Sequence, residues 1–153
     1  LGITREEDGV YSYDHAKYIE GMLDRQGIAD VEEQDMPYCQ KRMQRLNELT
    51  KTEDEHKLGE KVDITDYRSM IGALQYPAHN STPVALATAG ILATYMSEGH
   101  VRKQHMDAAM HLAGYLKKRK DDKTRMDPGD MRVSAGADAS FASCRRTRRN
   151  GPR

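Results

Sequence analysis

The sequence predicts a mainly α-helical α+β fold with an N-terminal β-hairpin, about four helices and one C-terminal strand. Three observations lead to this prediction. Two short β-prone runs flank an Asp-Gly pair near the start, and apolar residues then recur at helical spacing in four segments. An alternating apolar–polar run follows a Pro-Gly turn near the end. The chain also opens without Met, on strand-type residues, so we expect a fragment of a larger protein.

The N-terminal hairpin and the first helix are defined by turn and capping residues. Residues 1–4 and 10–13 are the two strands, and Asp8-Gly9 between them is a turn signal typical of hairpins. A helix is expected over 14–27. Gly27 ends it, because glycine takes the left-handed position that follows a helix without steric cost.

Residues 29–62 predict an exposed connection. The segment is acidic at first, contains Pro37, and has little hydrophobic periodicity beyond Met43, Leu46 and Leu49. It leaves room for one short helix, and we expect it to make fewer contacts than the rest of the chain.

Three further helices are expected over 65–78, 83–97 and 102–118. Asp63 or Thr65 can cap the first of them, and Pro83 begins the second after a hydroxyl residue. The apolar faces expected to pack together are Tyr67, Met70, Ile71 and Leu74; Val84, Ala87, Ile91 and Tyr95; and Met106, Ala109, Met110, Ala113 and Leu116. Each buried Leu or Ile side chain stabilises the fold by roughly 1.5–3 kcal/mol.

Composition narrows the class of protein. Hydrophobic residues make up 37% and charged residues 31%, with a mean hydropathy of −0.85, which is polar for a globular domain yet too apolar for disorder throughout. An 18-residue apolar run, a signal peptide, a P-loop, a GxSxG motif and zinc-ligand spacing are all missing from the sequence. Its two cysteines have no CxxC partner, so we expect an intracellular protein, cytoplasmic or nuclear, with no membrane contact.

The net charge of zero hides an asymmetry. Residues 1–100 carry 10 Lys and Arg against 18 Asp and Glu, whereas residues 101–153 carry 14 against 6. A basic C-terminal third points to an anionic partner, nucleic acid first, although solvated helix faces also collect cations. The candidate nucleic-acid-binding cations are Lys117, Lys118, Arg119 and Lys120, together with Arg145 and Arg146.

Asp138 is the candidate metal ligand. It lies at the end of the alternating run 131–141, among small residues that leave open space around its carboxylate. Two-metal nucleases hold magnesium with carboxylates placed in this way. A single Asp on a strand is also commonly an edge or surface residue, and residue type alone leaves both interpretations open.

Five blocks follow one another in an order typical of one family. They are Leu1, Gly2 and Ile3; residues 18–28; residues 67–76, which read YRSMIGALQY; residues 105–117; and residues 137–140. The chain thus resembles copia-type (Pseudoviridae-like) retrotransposon Pol polyprotein, whose reverse transcriptase carries a Leu-Gly-Ile strand and then YI..LL...G, YRS.IG.L.Y and H..A...LRYLK helices before the DAD or DAS strand of RNase H. One departure is clear: Ser81-Thr82-Pro83-Val84 stands where the family has Thr-Arg-Pro-Asp.

This resemblance implies a domain plan. Residues 1–28 correspond to the end of the polymerase palm and the start of the thumb, 29–62 to the connection, and 63–126 to the helical thumb and connection region. Residues 127–153 correspond to a truncated start of RNase H.

The resemblance also assigns roles. Leu1, Gly2 and Ile3 correspond to the strand that holds the primer end, and Asp138 to the first metal-binding Asp of RNase H. The implied partners are an RNA–DNA or DNA template–primer duplex and the rest of the Pol polyprotein. Mg²⁺ is implied for the parent enzyme, and we expect none to bind this chain tightly.

Two other interpretations stay open. A small helical protein-interaction domain unrelated to retroelements would use the charge asymmetry for a protein partner. A standalone RNase H-like nuclease needs more carboxylates than the single candidate Asp138. In the reverse transcriptase interpretation the other carboxylates of both active sites lie beyond the two ends of this sequence, so the chain alone is expected to have neither polymerase nor RNase H activity.

Overall fold

The computed structural model describes residues 1–49, 55–97 and 101–126. Within these ranges the chain forms a three-stranded antiparallel sheet and five α-helices, which confirms the predicted mainly α-helical α+β class. The strands are β1 (Gly2–Arg5), β2 (Tyr11–Asp14) and β3 (Thr124–Met126). The helices are α1 (Ala16–Arg25), α2 (Gln40–Leu49), α3 (Ile64–Asn80), α4 (Leu86–Ala93) and α5 (Lys103–Lys118).

The N-terminal hairpin forms where the sequence predicts it. β1 pairs with β2 in antiparallel register, with Gly2 opposite Asp14. Gly9 has a φ of 84°, which a residue with a side chain rarely adopts, and the Asp8 carboxylate accepts a hydrogen bond from the Val10 amide at 3.1 Å. The Asp-Gly pair therefore makes the turn, as expected.

A third strand completes the sheet. β3 pairs with β2 and places Met126 opposite Tyr11, so β2 is the central strand. The strand that the sequence predicts over 131–141 lies outside the described residues. The C-terminal strand that the structure does contain begins at Thr124, seven residues earlier than predicted, in a stretch of Lys, Thr and Arg without apolar alternation.

Helix α1, Ala16–Arg25, lies within the predicted range 14–27 and is two residues shorter at each end. The Asp14 carboxylate accepts from the Ala16 amide at 3.1 Å, which satisfies one of the free N–H groups of the first turn. Gly27 has a φ of 67°, and the next amide, that of Ile28, donates back to the Leu23 carbonyl at 2.9 Å. The side of the helix that carries Ile19 faces the core.

Helices α3, α4 and α5 pack against one another, as expected. Asp63, one of two candidate caps, accepts a hydrogen bond from the Thr65 amide at 2.6 Å and begins α3. Tyr67 is buried at the centre, and its hydroxyl donates to the Leu92 carbonyl of α4 at 2.9 Å. The predicted inner residues of α3 are all buried: Tyr67, Met70, Ile71 and Leu74.

The predicted inner face of the segment 83–97 is wrong at Val84, Ala87 and Ile91, which are exposed, whereas Tyr95 is buried as predicted. Val84 is 66% exposed and Ile91 36%, whereas Ala89 and Leu92 are fully buried. The segment 83–97 is helical as expected, but its two ends, Pro83–Ala85 and Thr94–Ser97, are 3-10 turns. Val84, Ala87 and Ile91 do share one side of the helix, but the helix is apolar all round, so its spacing does not decide which side packs against α3 and α5.

The segment 29–62 is more than an exposed connection, and that expectation is corrected here. Helix α2 buries Met43 and Leu46, and Leu58 is fully buried in the 3-10 turn Glu55–Leu58. These side chains join one continuous core with those of α1, α3, α4 and α5. The apolar residues are few but correctly spaced on one helix side, so they contribute to the core despite the polar composition.

No helix within the described ranges is both long and apolar enough to cross a membrane.

Candidate nucleic-acid surface

The predicted basic cluster, Lys117 to Lys120, ends α5 and begins the turn that follows it. Lys117 points back over the segment before α2. Its ammonium donates to the carbonyl of Ala29 at 2.8 Å and to that of Val31 at 3.0 Å. Because the Lys117 ammonium donates to two backbone carbonyls, it holds this segment against α5. Its first role is therefore structural.

The other three cations of this cluster each have an acidic partner. Lys118 pairs with Asp35, and Lys120 pairs with Glu20 of α1. The guanidinium of Arg119 lies 3.3 Å from the Asp122 carboxylate. The Lys118 hydrogen bond lowers the pKa of Asp35, and the Glu20 hydrogen bond raises the pKa of Lys120, so the charged forms of Asp35 and Lys120 are favoured. These pairs offset most of the positive charge of the cluster.

Gly2 and Ile3 lie on the edge strand β1, and Leu1 directly precedes it. Leu1 and Ile3 are both exposed, at 64% and 63%. A Cβ added to Gly2 would lie 2.9 Å from the Asp14 carboxylate, so the absence of a side chain lets the two strands close here. The apolar side chains of Leu1 and Ile3 therefore lie on the surface.

The fold does not bring these two predicted sets together: the basic end of α5 leads to β3, whereas Leu1, Gly2 and Ile3 lie at β1. After α5 and its basic end, the chain forms β3, which joins the sheet beside β2. Two ion pairs fasten this return to the hairpin turn: Lys123 to Glu6 at 3.9 Å, and Arg125 to Asp8 at 2.7 Å. β1 lies at the opposite edge of the sheet from β3.

A second basic surface, absent from the sequence-based predictions, lies between α2 and α5. A groove of about 370 Å³ is lined by Lys41, Arg42, Arg45, Gln104 and Asp107. The signal for it was present in the sequence, because Lys41 and Arg45 are one helical turn apart and Met43 and Leu46 mark the opposite, buried side. Interpreting 29–62 as an exposed connection concealed this helical spacing.

Three of the predicted site residues, Asp138, Arg145 and Arg146, lie outside the described residues. Within the described ranges no group of three or more His, Cys, Asp or Glu residues is placed to hold a metal ion.

His105 and His111, the two histidines of α5, have packing roles. His105 is fully buried, accepts a hydrogen bond from the Arg102 amide through Nδ1 at 3.1 Å, and lies edge-on to the ring of Tyr95, with centroids 4.6 Å apart. His111 lies 3.0 Å, through Nε2, from the Met36 carbonyl. Burial lowers the pKa of His111. Both side chains help α5 hold the elements around it.

Comparison with known proteins adds no relative: no family model, curated protein or solved structure matches the chain.

Proposed function

We propose that this chain is a segment of a copia-type retrotransposon reverse transcriptase that helps to hold the template–primer duplex. The observation that carries the proposal is the ordered series of motifs from Leu1 to Asp138, above all the block at residues 67–76. The parent polyprotein would be an RNA-directed DNA polymerase with RNase H. This segment would bind the template–primer duplex and would not supply catalytic residues for polymerisation.

The positions of the block residues support the proposal. The block spans most of α3, where Tyr67 and Ile71 are fully buried. Arg68 donates to the Met96 carbonyl at 2.9 Å through its Nη2, and Ser69 accepts from the Gln26 side chain at 3.0 Å. The residues that carry the resemblance are thus the ones that join α3 to α1 and α4, as expected if the family pattern describes this core.

A protein that holds a duplex without reading its sequence contacts the sugar–phosphate backbone of the nucleic acid. Phosphates are bound by Lys and Arg without regard to sequence, and each contact releases condensed counterions. The candidate cations are those at 117–120, the C-terminal arginines Arg145 and Arg146, and the groove between α2 and α5. In the parent enzyme Mg²⁺ would bind Asp138 together with carboxylates supplied by the rest of the polyprotein.

The proposal is tested by titrating a labelled RNA–DNA hybrid with the full 153-residue chain at two ionic strengths. We expect weak binding without sequence preference. With about three phosphate contacts, a fourfold rise in salt should weaken binding by about 40-fold. Salt-independent binding, or none at low salt, would contradict nucleic-acid handling.

The alternative, a helical protein-interaction domain, is supported by the outward side of α4. Val84 and Ile91 are exposed there, a surface typical of protein contacts. The two functions differ in what precedes the chain in its gene. A Tyr-x-Asp-Asp block shortly upstream of Leu1 would support the reverse transcriptase proposal, and intact unrelated exons on both sides would support the alternative.

A further inference from the structure

The groove between α2 and α5 has a distinctive charge pattern. Three cations, Lys41, Arg42 and Arg45, lie on α2 at its rim, and a single carboxylate, Asp107, lies on α5. The fifth lining residue, Gln104, is fixed by a hydrogen bond from its side-chain amide to the Lys57 carbonyl at 3.1 Å. The groove is therefore a concave surface with an excess of two positive charges.

These cations differ from the cluster at the end of α5 in having no acidic partner. Within the part of the chain that the structure describes, Lys41, Arg42 and Arg45 form no ion pair, whereas Lys118, Arg119 and Lys120 each form one. The Arg42 guanidinium donates to a neutral acceptor, the Asp107 backbone carbonyl, at 3.4 Å. Its positive charge is left for an anion from outside.

The placement of charge along α2 works against the stability of the helix. Its first turn carries Lys41 and Arg42 and no acidic residue, while Glu48 lies in its last turn. The helix dipole favours the reverse arrangement, with anions at the beginning and cations at the end. A bound polyanion would offset this unfavourable arrangement, so the charges are placed for a ligand rather than for the helix.

We propose that this groove binds the phosphodiester backbone of a nucleic acid, and that it is the main phosphate contact of the chain. The inference rests on the proposed function and names the surface that would carry it out. Guanidinium groups suit phosphate because their planar donors form paired hydrogen bonds, and Lys41 adds a compact charge at the rim. Asp107 limits the affinity by repelling the phosphates.

The test compares two matched double variants of the full chain in the hybrid titration. Lys41→Ala/Arg45→Ala removes two groove cations that form no hydrogen bond or ion pair within the described ranges. Lys17→Ala/Arg25→Ala removes one lysine and one arginine from the exposed surface of α1. We expect the groove variant to bind about tenfold more weakly or worse, and its salt slope to fall by about 2, one for each cation. The α1 variant should stay within about threefold of the parent chain.

Two further variants sharpen the test. Asp107→Asn removes the repelling carboxylate and should tighten binding about twofold or more. Lys118→Ala/Arg119→Ala removes cations that already have acidic partners, so it should weaken binding less than the groove variant does. Circular dichroism and thermal melting check that each variant is folded, and the groove variant should melt no lower than the parent because its lost charges oppose the helix dipole.

The outcomes separate the two proposals. If the parent chain does not bind the hybrid, the proposed function fails and the groove inference fails with it. If the parent binds but the folded groove variant keeps its affinity and salt slope, the groove inference fails and the proposed function stands. Binding to phosphatidylserine vesicles in place of the hybrid, with the same dependence on Lys41 and Arg45, would overturn the assignment to nucleic acid.

Discussion

Gly114, in the middle of α5, has no room for a side chain. A Cβ at this position would lie 2.1 Å from the carbonyl oxygen of Glu32, far inside van der Waals contact. Glycine lowers helix stability by about 1 kcal/mol relative to alanine, so its use here reflects the close approach of the segment before α2. The local helical spacing predicts α5 but not this contact, because the contact joins residues 82 positions apart.

We expect Gly114→Ala to destabilise the protein by about 1–3 kcal/mol, because the neighbouring backbone must move to admit the methyl group. The free energy of unfolding in urea measures this. Gly72→Ala in α3 is the matched control: nothing lies within 4 Å of the added Cβ, and the substitution should stabilise the helix by up to about 1 kcal/mol. Equal effects of the two substitutions would contradict the contact.

His15 is buried where the hairpin meets α1. Its ring lies edge-on to Tyr76, with centroids 5.2 Å apart, and edge-on to Tyr13 at 6.0 Å. Neither ring nitrogen has a hydrogen-bond partner within the described residues, so a charged imidazolium would be poorly solvated. Burial accordingly lowers the pKa of His15 below its ordinary value of 6.5.

This shift predicts the direction of a pH dependence. As pH falls below about 6.5, the unfolded chain binds a proton at His15 while the folded chain does not, so stability falls until the folded-state pKa is reached. The loss from one proton is at most about 1.4 kcal/mol per pH unit. Urea unfolding between pH 7.5 and 5.5 should show a shallower decline for His15→Phe than for the parent. Identical slopes would argue against a neutral buried His15.

At the scale of elements, helix existence followed from the sequence more reliably than helix orientation. α1 and α3 have polar residues on one side and apolar residues on the other, so spacing alone identifies what they bury. In α5 the spacing identifies Ala109, Ala113 and Leu116, but Met106 and Met110 are only partly buried and the buried Leu112 and Tyr115 are missed. α4 reads LATAGILA and is apolar all round, so nothing in its sequence selects a face. The packing of α3 and α5 makes that choice, and it selects Ala89 and Leu92.

This orientation gives a pair of neighbouring substitutions with very different expected costs. Leu92→Ala leaves a cavity between α3, α4 and α5 and should cost about 2–5 kcal/mol of unfolding free energy. Ile91→Ala, at an exposed position on the same helix, should cost less than about 1 kcal/mol. Thermal or urea unfolding of both variants decides the matter. A larger loss for Ile91→Ala would restore the face that the sequence predicts.

For the molecule as a whole, folding pairs the acidic and basic parts of the sequence. Lys118, Lys120, Lys123 and Arg125 come from the basic third, and each pairs with an acidic residue among the first 35 positions. Much of the charge asymmetry in the sequence is thus satisfied within the protein. A count of charges could predict that the two parts attract, but not that the cations of α2, within the acidic part, remain for a partner.

The same reasoning explains what the sequence could predict of the candidate surface. The motifs located α3 and α5 because they are local patterns of burial and capping. Whether a given cation is neutralised depends on contacts between distant segments, such as Lys120 with Glu20 across 100 positions. Only the structure therefore shows which of these cations form an ion pair.

The hydrogen bonds of Lys117 also allow the contact between α5 and the segment before α2 to be followed by chemical labelling. Amine-acylating reagents must reach the lysine nitrogen, and the Nζ of Lys117 is occupied by its hydrogen bonds to the carbonyls of Ala29 and Val31. Lys41, exposed at the groove rim, forms no such hydrogen bond with the residues that the structure describes. The ratio of acylation at these two lysines thus measures how often the segment before α2 lifts away from α5, a motion that spectroscopic averages over the whole chain would miss.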